Sequence, residues 1–282
     1  MGLTGRGDWA PGDVPESTRY HRTTMPPTTA RDQLSLRLEP DLPTLPNLPA
    51  TLRPMLARPA AEPFDSTAHL FEPSWGGRRA LAFIGPSEMP GAGDVRLIVD
   101  EGRNVAPALP ELAGLAVRIE ARSAILDGEL VVVDASGRAD AAELERRLGG
   151  APGRPVAFLA FDLLHLDGRS LLSAPLERRR EKLRRVLRPG DEVVAVPAIA
   201  TEGRALHDAV AAQGIAGVMA RQRSSPYLPG VRSRLWRFIA AGTPVEGAAS
   251  EAVEPADDAA SETTAAAPVV ALIRRLPLLF ED

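Results

Sequence analysis

The chain has 282 residues, 44% hydrophobic and 25% charged, with a formal net charge of −4, which predicts a soluble globular protein with one substantial core and appendages. No run of eighteen apolar residues occurs, so no helical membrane span is expected, and the absence of cysteine excludes disulfides and thiolate metal sites. No basic stretch leads into an apolar segment at the N-terminus, so a secretory signal is not expected and a cytoplasmic protein is.

Residues 1–50 crowd proline among few aromatics and sustain neither the strand nor the helix period, which predicts a disordered extension. Patterning starts near Leu52, where PMLARPA is a short apolar segment ended by prolines. In the HLFEPSWGGRRALAFIG stretch, ALAFI reads as a strand after a glycine pair. VRLIVD, residues 95–100, alternates and ends at a hairpin-like turn at Glu101-Gly102. PALPELAGLAVRI spaces Leu109, Leu112 and Leu115 as on a helix. In AILDGELVVVD, Asp127-Gly128 is expected to bend the chain before a strand of β-branched residues. AAELERRLGG, residues 141–150, predicts a helix closed by glycine.

PVAFLAFDLLHLDG predicts a buried strand running into a turn at Asp167-Gly168. PLERRREKLRRVL carries Leu176, Leu183 and Leu187 at helical spacing, and its six basic side chains are expected on solvated faces. EVVAVPAIA reads as one strand, RALHDAVAAQ as a helix and AGVMARQ as a strand, and SSPYLPGVRSRLWRFIAAG ends the patterned region. Strands and helices intermix with hairpin turns, so the fold class is α+β with mostly antiparallel sheets. Residues 51–240 form the predicted domain, with 26 bases against 23 acids, a balance that permits a polyanion partner without demanding one. Residues 241–282 hold eight acids against Arg274 and Arg275 and predict a flexible acidic tail. The tail closes in an apolar segment from Val269 to Phe280 suited to docking on a partner or on the chain's own domain. His21, His69, His165 and His207 show no metal-ligand spacing, and Lys182 is the one lysine among 33 basic residues.

The ordered set EPSWGGRRAL, ILDGELVVVD, FLAFDLLHLDG and AGVMARQRSSPYLPGVRSRLWRFI resembles the adenylation domain of bacterial ATP-dependent DNA ligases over about residues 52–240. That resemblance implies a nucleotidyltransferase fold of two antiparallel sheets flanked by helices, with ATP and Mg²⁺ held in the groove between them. It also implies DNA as partner, a setting in DNA repair and recombination, and a lysine amine that attacks the α-phosphorus of ATP. By the resemblance, Glu129 meets the ribose or the metal shell, and Phe161 stacks on adenine or is simply core. Arg79, Arg221 and Trp236 belong to the nucleotide site, and Arg232 and Arg234 are phosphate or DNA contacts or plain surface residues.

The chain departs from the family pattern at four places. Where the family writes Lys-x-Asp-Gly-x-Arg, this chain has Ser74-Trp75-Gly76-Gly77-Arg78-Arg79, so a serine holds the nucleophile position and a glycine the acidic one. Ala216 stands where Glu-Gly-x-x-x-Lys has its glutamate and Arg221 where it has its lysine. Phe238 and Ala240 replace the two lysines after Trp236, and Asp100 puts an acid where the family has arginine. The acidic stretch after Trp236 is too short and too poorly patterned for the OB-fold clamp of working ligases. The expectation is therefore a homologue that does not self-adenylate and retains at most nucleotide or DNA binding, with a repair protein as a possible partner of the tail. The alternatives are a ligase with a non-standard nucleophile or a partner subunit, and a non-catalytic scaffold.

Overall fold

The computed structural model describes residues 45, 47–134 and 137–242, so the expectations for residues 1–44 and for the acidic tail beyond Gly242 lie outside the described residues. Two sheets carry the fold. Their strands are β1 (Leu56–Pro59), β2 (Ser66–Ser74), β3 (Arg78–Ile84), β4 (Val95–Ile98), β5 (Ala124–Val131), β6 (Ala157–Leu166), β7 (Arg169–Ser170), β8 (Val193–Ala195), β9 (Ile199–Thr201), β10 (Gly217–Gln222) and β11 (Arg232–Ala240). The first sheet runs β1-β11-β10-β2-β9, and the second runs β4-β3-β5-β6-β7 with β8 beside β6. Pairing is antiparallel except for β1 with β11 and β6 with β8. Three helices, α1 (Ala141–Leu148), α2 (Leu176–Val186) and α3 (Gly203–Ala212), pack on these sheets. Among the described residues, no helix is long and apolar enough to cross a membrane.

The second sheet is centred on β6, whose AFLAFDLLHL is buried at every position but the last, as a strand covered on both faces must be. Its outer face packs with Leu109, Leu112, Leu115, Leu144 and Leu183, and two further clusters join it to the first sheet. Asp167 and Gly168 both have positive φ, +47° and +78°, the geometry of a two-residue hairpin turn, as expected from the sequence. Asp140 caps α1 by accepting a hydrogen bond from the Glu143 amide, and Gly149 closes the helix as predicted.

Several local expectations are corrected. Residues Pro110–Arg118 form a 3-10 helix, which the three-residue spacing of the leucines at 109, 112 and 115 fits better than the α period. Asp127-Gly128 does not bend the chain but lies inside β5, where the ladder to β6 shifts register. A Cβ at Gly128 would stand 2.4 Å from the Phe158 ring, so this glycine serves close strand approach. EVVAVPAIA is two strands, β8 in one sheet and β9 in the other, parted around Pro197. The HLFEPS segment, not assigned from the sequence, forms β2. The basic run of α2 is not wholly solvated, since Arg179 and Arg180 are buried.

Candidate functional site

β2 ends at Ser74, and a Trp75-Gly76-Gly77 turn carries the chain from the first sheet to β3 in the second. In the ladder Ser74 faces Gly217, which puts the turn against Ala216. Gly76 has φ +80°, and a Cβ there would lie 2.9 Å from the Ala216 Cβ. A Cβ on Gly77 would lie 2.1 Å from the Leu130 carbonyl oxygen. The two positions where the family keeps carboxylates, 76 and 216, are thus closed against each other. Glu129 on β5 accepts hydrogen bonds from the Gly77 amide and, at 3.4 Å, from the Trp75 amide, so its carboxylate ties down the turn. Burial pushes the Glu129 carboxyl up, against the pull of these amides and of Arg79.

Phe161 on β6 lies between two guanidinium groups, Arg221 4.0 Å and Arg79 4.6 Å from its ring centroid. Arg221 is 2% exposed and lies against Glu72, which also pairs with Arg180. Burial pulls Arg221 down to about 9, opposed by Tyr227. Arg180, lowered by burial to about 10, donates to the Phe161 carbonyl at 2.9 Å and to the Val196 carbonyl. Arg79 makes a two-point pair with Asp127, which in turn accepts from the Tyr227 hydroxyl at 2.7 Å. Burial lowers the Arg79 guanidinium, but its contacts with Asp127 outweigh that and raise it above the usual range. The Met55 amide donates to the same hydroxyl, so the chain entering β1 is fastened to this network.

These side chains line a cavity of about 190 Å³ between the sheets that includes Glu72, Ser74, Gly76, Arg79, Glu129 and Arg221. Sites for small ligands usually measure about 300–1,000 Å³, so the space is small for a nucleotide. A wider depression of about 490 Å³ adjoins it along β3 and β4 and shares Arg79. The structure brings together Ser74, Arg79, Glu129, Phe161 and Arg221, sets the Trp236 ring 4.6 Å from the Arg221 guanidinium and 5.6 Å from that of Arg79, and leaves Arg232 and Arg234 elsewhere. Trp236 is fully buried and donates to the Ser225 hydroxyl at 3.3 Å. Arg232 is exposed and donates to the Ala57 carbonyl at 2.7 Å, and Arg234 is exposed at the far side of β11. Asp100 pairs with Arg78 near the surface. Among the described residues, no group of three or more histidines and acids could hold a metal ion.

Glu72, Asp127, Arg180 and Tyr227 were not singled out by the sequence. Glu72 had a legible signal: it is an acid inside the apolar LFEP run and two residues before Ser74, hence on the same face of a strand.

A profile of the family described as "ATP dependent DNA ligase domain" matches residues 54–238. The chain belongs to that family. A probable DNA ligase of Rhodococcus opacus is 35% identical over 201 residues, 67% of this chain and 38% of that protein. The multifunctional non-homologous end joining DNA repair protein LigD of Mycobacterium tuberculosis is 34% identical over 186 residues, 66% of this chain and 23% of that protein. The chain therefore spans well under half the length of either ligase relative. Among solved structures, mycobacterial DNA ligase D complexed with ATP and MES aligns with a TM-score of 0.56 at 32% identity, over 67% of this chain and 60% of that one. The ligase domain of M. tuberculosis LigD gives 0.54 at 32% identity, over 66% of this chain and 58% of that one. The two-sheet α+β architecture is accordingly that of DNA ligase adenylation domains.

Proposed function

We propose that this chain is an ATP-dependent DNA ligase homologue that does not capture AMP and that serves DNA repair by binding rather than by nucleotidyl transfer. The observation that carries the reading is the absence of a primary amine from the groove. Ser74 stands at the nucleophile position, and Lys182, the chain's one lysine, is on the exposed side of α2. A serine hydroxyl needs a neighbouring base to attack phosphorus at neutral pH, and both acids of the groove are engaged, Glu129 with two backbone amides and Glu72 with Arg180 and Arg221.

ATP and Mg²⁺ do not fit the residues present. The Arg221 guanidinium covers the ring of Phe161 on which adenine would stack, and Arg79 is held by Asp127. Gly76 and Ala216 offer no ligand oxygen from a side chain, and their contact leaves no room for one. No reaction step through the nucleotide is therefore assigned. Residues 51–240 act in this reading as a ligase-like platform, with exposed Arg232 and Arg234 available to DNA phosphates and the C-terminal tail available to a repair protein.

The test is intact-mass measurement of the full chain after incubation with ATP and Mg²⁺, in parallel with α-labelled ATP. The expected result is an unchanged mass and no protein-bound label. A chain heavier by one adenylyl group would overturn the proposal, as would nick sealing by the purified protein.

A further inference from the structure

The first sheet has a second charged surface on the side turned away from the groove. Glu72, Met219 and Arg221 line the groove, while the residues alternating with them, Phe71, Val218 and Ala220, pack with Leu206 and Val210 of α3. Arg237 pairs with Ala220 across the ladder and so belongs to this back face. There Arg58, Arg204, Arg234 and Arg237 line an open depression of about 600 Å³ with Phe64, and the Arg237 guanidinium lies 5.4 Å from the Phe64 ring centroid. Arg204 has Asp65 at 3.6 Å, and Glu62 is the one acid in the lining. Arg58, Arg234 and Arg237 make no ion pair among the described residues. Three unpaired cations held together by a strand register raise a local positive potential that an anionic partner would relieve.

The chain itself supplies the matching charge. β11 leaves the sheet beside α3: the Ala240 carbonyl accepts from His207 Nε2 at 3.0 Å, and Arg204 lies one turn earlier on the same helix. Gly242, with φ +80°, then turns the chain. Beyond it come Glu246, Glu251, Glu254, Asp257, Asp258 and Glu262, with no cation before Arg274. From Ala240 an extended chain covers about 20 Å by residue 246, so the first carboxylates are within reach of the depression. A short tether of this kind gives an effective concentration in the millimolar range.

We propose that the back-face arginine depression is the docking site for the acidic stretch, residues 246–262, of this chain's own tail. Carboxylates then replace the missing counter-charges of Arg58, Arg234 and Arg237, and the docked tail excludes other polyanions from that face, so that DNA phosphates reach Arg234, and a repair protein the tail, only when the tail is released. The proposal is independent of whether the groove captures AMP.

The lack of cysteine allows a unique label. Ser250→Cys in the full chain, carrying a nitroxide, is expected to broaden the amide resonances of Phe64, Arg204 and Arg237 most strongly of all, at about 0.1 M salt where the screening length is about 10 Å. The broadening should be lost near 1 M salt, where that length falls to about 3 Å. It should also be lost in an Arg58→Gln/Arg237→Gln variant and when the six tail acids are changed to Gln and Asn. Absence of selective broadening at those amides would overturn the proposal, as would broadening that survives neutralisation of the tail. A short duplex added to the chain is expected to shift the same resonances several-fold more tightly once the tail is neutralised. Equal affinity with and without the acids would make the depression a DNA surface and also end the proposal.

Discussion

At the scale of single residues, the turn at Ser74 departs from the family pattern read in the sequence at more than the nucleophile position. Ser74→Lys alone is expected to leave the chain unable to take up label from α-labelled ATP, because the Phe161 ring stays covered by Arg221 and positions 76 and 216 stay without carboxylates. Retained label on that single variant would refute this. Gly76→Asp is expected to destabilise the fold by about 1–3 kcal/mol, since a residue with a side chain is strained at this positive φ and its Cβ meets Ala216. Urea unfolding measures the loss, and Ala216→Gly in the same chain should recover the steric part but not the backbone part. The departures from the family pattern at 74, 76 and 216 were legible in the sequence because they fall in short motifs. The fate of Arg221 was not, because its partners Glu72 and Phe161 lie 149 and 60 positions away along the chain and only the fold makes them neighbours.

At the scale of elements, α2 shows how a pattern can be present and still misread. Leu176, Arg179, Arg180, Leu183 and Leu187 occupy one helical face, so the spacing itself placed two arginines among the leucines. Their burial is tolerated because partners await them: Arg179 makes a two-point pair with Asp162 in which both side chains are 0% exposed. Burial pushes the Asp162 carboxyl up, against the pull of Arg179. Arg179→Met should cost about 3–5 kcal/mol, since it leaves a buried acid unpaired, while Arg179→Met with Asp162→Leu should return much of that loss. Arg185→Ala, on the exposed side, should change stability by less than about 0.5 kcal/mol, with thermal unfolding of all three variants as the measurement.

The strands β2 and β6 carry a pH dependence of their own. Burial holds the His165 imidazole below its ordinary value of 6.5, and burial followed by Arg237 does the same for His69. A lowered folded value means that the unfolded chain binds more protons in the window just below 6.5. Stability should therefore rise as pH increases through that window and fall on acidification. His165→Phe should flatten the profile measured by thermal unfolding at a series of pH values, and an unchanged profile would remove His165 from the account.

At the scale of the whole molecule, the class of fold was legible and its wiring was not. Alternation and hairpin turns identify most strands, because side-chain period and turn chemistry are local. The assignment of β8 and β9 to different sheets depends on which distant strands they meet, β6 in one case and β2 in the other. Pro197 marks the break but not the destination.

That crossing has a mechanical consequence. The three residues between β8 and β9 run from one sheet to the other, and Arg180 fastens the place by bonding Glu72 of β2, the Phe161 carbonyl of β6 and the Val196 carbonyl of the crossing itself. Neither sheet can swing away without breaking a desolvated guanidinium from all three. The pair should open as one cooperative unit, with the amides of Val196 and of central β2 and β6 exchanging deuterium at a common, slowest rate set by global unfolding. Arg180→Leu should split that rate into two, one for each sheet.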